Sequence, residues 1–199
     1  MQIDLPAALF ANLVFSVKIA PGILAIVTVV RGLILLSGQK REFEDWTRNS
    51  LMSALSIIFL PGTLAYIGIR YTVSRAFGIA VENVGGSTTY GEINLFLKVE
   101  RPPRVAIVLS ALYMIVVMSV FVALSLILLP ALLFFQNMPL VLFCWYVAIG
   151  VLFNISLRSG DVSLVVASLR RRPRAGVLEF IAVMVALVLL YTQVVGVLV

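Results

Sequence analysis

Apolar runs too long for the core of a small soluble domain constrain this chain more than any other feature. A helix needs about 20 residues to cross a hydrocarbon layer of about 30 Å, and five apolar regions come near or pass that length: 5–37, 49–77, 105–129, 140–157 and 177–199. Of 199 residues, 62% are apolar and 12% charged, against about 45–50% and about 25% in soluble domains. A soluble monomer is excluded. The longest mostly polar interval, 75–104, matches a hairpin with tails and leaves no room for a sizeable extramembrane domain. The expected fold class is an all-α polytopic membrane protein of four to five transmembrane helices, forming one membrane domain over 1–199, with a small surface β-hairpin.

The regions differ in how they are expected to fold. Region 5–37 would span roughly 50 Å as one helix, and Pro21-Gly22 divides it. The favoured reading is an interfacial helix over 5–19 and one crossing up to Gly38, with a crossing over 8–20 or a tight hairpin as alternatives. Pro61-Gly62 predicts a kink or a broken helix within 49–77, and Pro130 is expected to stop the third span. In 92–100, Ile93, Leu95, Leu97 and Val99 alternate with polar residues apart from Phe96, which reads as a half-buried strand. Segment 79–84 is expected to pair with it across the turn-forming stretch 85–91, giving a hairpin over 78–104 at the membrane surface. Val162, Val165, Val166 and Leu169 follow the i, i+3, i+4, i+7 spacing of an amphipathic interfacial helix over 161–172.

Basic residues set the expected orientation, because they are retained in the cytoplasm. Lys40, Arg41 and Arg48 follow the first region. On the opposite side stand Arg75, Lys98, Arg101, Arg104, Arg158, Arg170, Arg171, Arg172 and Arg174. The connections 75–104 and 158–174 are therefore expected in the cytoplasm of a multi-pass cell-membrane protein, with the C-terminus outside. A cleavable signal peptide is not expected, since Asp4 and Pro6 precede the first apolar run with no Lys or Arg before it.

Absences narrow the chemistry. There is no histidine, the commonest proton shuttle and zinc ligand, so serine-type hydrolysis lacks its usual base. Lys18, Lys40 and Lys98 have no evident serine partner in the membrane. The single cysteine, Cys144, lies in an apolar run and has no internal partner for a disulfide. No cofactor and no metal site are expected, and no catalytic residue is assigned. An enzyme working without histidine is the remotest reading.

Charged residues inside the apolar runs carry two readings. Lys18, Arg31 and Glu179 could mark an ion or substrate path, but each lies within reach of a span end. Arg31, Arg70 and Glu179 along one polar path would make a small transporter or channel component, the alternative functional reading. Arg170, Arg171, Arg172 and Arg174 are expected to contact anionic lipid headgroups, each contributing about 1 kcal/mol. Nucleic-acid binding is not expected, since no folded domain presents that cluster. Asn154-Ile-Ser156 matches a glycosylation sequon inside the fourth region, where Asn154 is better placed to bond across helices.

The segment 59–79, FLPGTLAYIGIRYTVSRAFGI, resembles the start of the core in site-2-protease-like membrane metallopeptidases. That family commonly carries a proline-glycine-threonine entry, then HExxH, then an arginine and a glycine that close the helix before a short sheet. Pro61, Gly62, Thr63, Arg75 and Gly78 fit this frame. A surface strand, Arg101-Pro102-Pro103-Arg104 leading into a long span, and Asp161 near the family's third metal ligand extend the similarity over residues 50–170. The resemblance places Tyr66 and Arg70 at the two histidine positions and Ile67 at that of the glutamate base.

This departure removes the family's chemistry. Two histidines one turn apart hold zinc while the glutamate activates the bound water. An arginine is a permanent cation that repels a metal, and an isoleucine accepts no proton. The resemblance implies a catalytically inactive relative acting as a binding, scaffold or accessory subunit, with the bilayer and another membrane protein as partners. An exposed edge at Ile93, Leu95 and Leu97 could hold an extended segment by strand addition, or the hairpin could simply roof the helices.

Arg70 and Asp161 can be read in two ways. Residues 66 and 70 share a helix face, and a guanidinium meets a carboxylate in bidentate fashion. An Arg70–Asp161 ion pair would reduce the roughly 2.5–3.5 kcal/mol cost of an arginine at mid-membrane. Otherwise Arg70 snorkels to lipid phosphate, and Asp161 occupies the first turn of its helix behind Ser159.

Overall fold

The computed structural model describes residues 5–36, 39–40, 47–48, 50–79, 83–87, 94–98, 103–157 and 159–196. Helix α1, Leu5–Leu36, runs without interruption through Pro21. This corrects the expectation of an interfacial helix followed by a separate crossing, and its two alternatives. Proline deletes one backbone donor, yet unwinding further would leave more groups unpaired with no water to take them in an apolar setting. Val17, Ala20 and Leu24 also hold both sides of Pro21 against a common core.

Helices α2, Ser50–Ile58, and α3, Leu60–Ala76, are separated at Phe59. The expected interruption falls just before Pro61, because proline is tolerated in the first turn of a helix, where its missing N–H has no partner to lose. At the other end of α3, Gly78 adopts φ +68°. Its N–H donates to Arg75 C=O and that of Ile79 to Ser74 C=O, both at 3.0 Å, so the last carbonyls are satisfied by a left-handed glycine turn.

Between α3 and α4 the described backbone is extended. Strand β3, Asn83–Ser87, pairs antiparallel with β4, Asn94–Lys98, with Val84 opposite Leu97 and Gly86 opposite Leu95. The register differs from the expected 79–84 pairing: Gly85, Gly86 and Ser87 lie within β3, and Ile79 is not in a strand. Glycine lacks the side chain that packing selects for in strands, so composition assigns it to the turn. Before α2, the two-residue strands Gln39–Lys40 (β1) and Thr47–Arg48 (β2) also pair antiparallel; in chain order they precede β3.

Helix α4, Val105–Leu133, passes through Pro130, which was expected to end it, and stops at Phe134, whose N–H donates to Pro130 C=O at 2.9 Å. Helix α5 is Met138–Asn154, α6 is Ser159–Arg171, and α7 is Pro173–Gly196. The start of α7 precedes the expected residue 177, with Pro173 opening it. Among the described residues, three helices are long and apolar enough to cross a membrane: α1, α4 and α7 over Pro173–Val194. Helix α5 is apolar but has 17 residues. The described chain is predominantly helical, with three candidate membrane spans.

Helix α4 is the hub, touching α1, α3, α5, α6 and α7. Ala20, Tyr66, Val73, Ile115, Val117, Val120 and Ile155 form the larger buried cluster, and Ala123, Ala148 and Val151 a second one nearer the far end of α4. Phe10, Leu36, Phe135 and Leu178 are among many large apolar side chains left exposed, as expected of surfaces that meet lipid. Cys144 is free and half-buried.

Candidate functional site

Each residue of the Pro61-Gly62-Thr63 entry has a physical task. Pro61 opens α3. Gly62 lies against Gly150 of α5 so closely that a Cβ on Gly62 would stand 2.4 Å from the Gly150 Cα. Small residues at such a crossing let two backbones approach without a hydrophobic drive between them. Thr63 Oγ1 donates to Phe59 C=O at 3.0 Å and accepts from Asn154 Nδ2 at 3.0 Å, while the same Asn154 amide donates to Gly150 C=O at 2.8 Å. Asn154 is thus a buried clamp between α3 and α5.

This clamp fixes the face that α3 turns inward, on which Tyr66 and Arg70 follow Thr63 at helical spacing. The Arg70 guanidinium donates to the Asp161 carboxylate at the start of α6, forming an ion pair. Asp161 is 3% exposed. Tyr66, also buried, stands beside the same guanidinium and lines the same cavity as Arg70 and Asp161. Three side chains, two on α3 and one ninety-one positions beyond Arg70, therefore meet around one half-buried positive charge. Ile67 is half-buried on the same helix. The snorkelling reading of Arg70 is corrected by this contact: Asp161 accepts the charge within the protein.

A cavity of about 200 Å³ adjoins the pair, lined by α1, α3, α4 and by Ser156, Leu157 and Asp161. Its wall is mostly apolar, with Tyr66, Arg70, Tyr113, Ser156 and Asp161 as polar members. Among the described residues, no group of three metal-ligating side chains (His, Cys, Asp or Glu) occurs. The carboxylate of Asp161 and the phenol of Tyr66 face a guanidinium, an arrangement that offers electrostatic positioning and hydrogen bonding.

Other residues singled out from sequence are dispersed. Arg31 is buried in α1, its guanidinium carbon 6.0 Å from the Phe153 ring centroid, near the limit for a cation–π contact. Lys18 is half-buried. Glu179 accepts from the Ala106 N–H at 3.4 Å, near the start of α4, and lines a second cavity with Arg104, Arg171 and Arg172. Arg31, Arg70 and Glu179 thus have different neighbours. Arg170, Arg171, Arg172 and Arg174 are exposed around the α6–α7 junction. Leu95 and Leu97 lie in β4; Ile93 and Arg158 lie outside the described residues.

One polar contact escaped the sequence reading. Asn12 on α1 donates to Ser125 Oγ at 2.8 Å and to Phe121 C=O at 3.3 Å on α4, and Ser16 Oγ donates to the Asn12 C=O at 2.7 Å. Two polar residues four apart in an apolar helix were the available signal.

Comparisons with protein-family models, curated proteins and solved structures found no match.

Proposed function

We propose that this chain is a catalytically inactive relative of the site-2-protease-like membrane metallopeptidases, working in the membrane as a binding, scaffold or accessory subunit. One observation carries the reading. The residues that the resemblance aligns with the three metal ligands, Tyr66 and Arg70 on α3 and Asp161 on α6, lie together around one cavity. The guanidinium of Arg70 supplies the positive charge that zinc would supply. It thereby satisfies a buried carboxylate that would otherwise be costly to keep in an apolar environment, and Ile67 takes the place of the base.

In this reading the bundle has four to five spans, with α3 and α5 as the shorter ones. The 75–104 and 158–174 connections face the cytoplasm by the excess of arginine and lysine there, and the C-terminus lies outside. The β3–β4 pair lies at the membrane surface, where the Leu95 and Leu97 edge receives an extended segment of a partner membrane protein by strand addition. Anionic headgroups meet the arginines of the α6–α7 junction.

Restoring the missing ligands tests the assignment. The Tyr66→His/Ile67→Glu/Arg70→His variant, purified in mild detergent, should retain one zinc per chain by elemental mass spectrometry and lose it when Asp161→Asn is added. A variant that keeps the wild-type circular dichroism and gel-filtration profile yet holds no zinc would refute the assignment.

A further inference from the structure

Among the described residues, five buried side-chain polar atoms have no hydrogen-bond partner, and three belong to residues lining the cavity beside the ion pair: Arg70 Nε, Tyr113 Oη and Ser156 Oγ. Ser156 is 4% exposed. Leaving such groups unpaired in an apolar setting is costly, and three of the five sit on residues around one cavity, where an acceptor reached by small side-chain movements would satisfy them. All three carry a hydrogen to donate. The charge of Arg70 is already answered by Asp161, so an acceptor with a full negative charge would meet the carboxylate. The fitting group is a neutral oxygen acceptor.

The remainder of the occupant must be apolar, as the wall is. A volume of about 200 Å³ is close to that of the engineered apolar cavity of about 150 Å³ that admits benzene, whereas a peptide helix is about 10–12 Å wide. An extended peptide would bring an N–H and a C=O with nearly every residue, far more polar groups than this wall can pair. A lipid acyl chain brings one carbonyl and a flexible apolar tail. Pro21 and Leu157 of the lining are exposed, so the rest of the tail would leave past them toward the bilayer.

We propose that this cavity binds one neutral lipid acyl group, an ester or amide, whose carbonyl oxygen accepts from Ser156, Tyr113 and Arg70 Nε while part of its chain lies against Leu24, Leu112 and Val116. The site goes beyond the inactive-peptidase reading and takes from it only the standing Arg70–Asp161 pair.

The probe is a monoacylglycerol with a photoactivatable diazirine in its chain, incubated with the full-length protein in mild detergent, irradiated and followed by intact mass and peptide mapping. The expected result is one adduct per chain on the cavity-lining residues, displaced by unlabelled monoacylglycerol at lower concentration than by the free fatty acid. Ser156→Ala and Tyr113→Phe keep the shape of the wall, and each should weaken labelling about two- to tenfold at unchanged thermal unfolding. Leu112→Trp, which fills the space, should abolish it. Adducts scattered over lipid-facing surfaces, stronger competition by the free fatty acid, or labelling indifferent to all three variants would overturn the proposal. Zinc retention by the restored-ligand variant is read at positions 66, 67 and 70 and does not depend on the outcome here, so failure of one reading is distinguishable from failure of the other.

Discussion

At the scale of single residues, several buried polar side chains join helices. Thr63 and Asn154 join α3 to α5. Interhelical hydrogen bonds in membranes average about 0.6 kcal/mol and reach about 1.7 kcal/mol, so Asn154→Ala should lower stability within that range. Thr63→Val combined with it should add less than its own separate effect. Strictly additive losses in detergent unfolding would show that the two do not act on one bond. Gly78, at φ +68°, closes α3; a Cβ there costs about 1–2 kcal/mol, and Gly78→Ala should destabilise by that amount while Gly68→Ala, open to space, should not. The Arg70–Asp161 contact was legible as one of two readings, because helical spacing and the family resemblance both pointed to it. The Asn12–Ser125 bond was legible only in half: Asn12 and Ser16 stand four apart in an apolar run, but their partner is not defined until α1 is known to lie on α4.

At the scale of elements, most helices could be read from apolar length, whereas their ends could not. Proline was read as a boundary at Pro21 and Pro130, and both helices continue through it. At Pro61 and Pro173 the proline does mark a start. At Pro21 the packing of Val17, Ala20 and Leu24 on both sides of the ring is a tertiary fact that sequence does not carry, and α4 runs only one further turn past Pro130. The β3–β4 register escaped for a related reason: pairing, rather than composition, put Gly85 and Gly86 into the strand. The α3–α5 crossing makes a firm prediction. Gly62→Val or Gly150→Val must push the two backbones apart, since a Cβ at either position meets the other glycine's Cα at 2.4 or 2.9 Å. Each should lower the unfolding temperature in detergent more than Gly32→Val, whose added Cβ meets nothing within 4 Å. Equal effects at the three glycines would contradict close packing there.

At the scale of the whole molecule, α4 organises the bundle, and the site lies where α3, α4, α6 and the proline-bearing middle of α1 come together. Orientation was argued from nine basic residues against three, and its prediction is specific. With Cys144 replaced by Ala, a cysteine at Arg172 should react with an impermeant maleimide only after the cytoplasmic face is opened, and one at Gln39 should react from outside in intact cells. The reverse pattern would invert the proposed topology.

The central claim is that a guanidinium on α3 holds the carboxylate of Asp161 on α6 inside the bundle. A double-mutant cycle of Arg70→Met and Asp161→Leu, read by equilibrium unfolding in detergent, tests it most directly. Each single change leaves one buried charge without its partner and should cost about 3–5 kcal/mol, while the double variant regains most of that loss because an apolar pair of similar volume replaces the ion pair. Two small losses that simply add would contradict the claim.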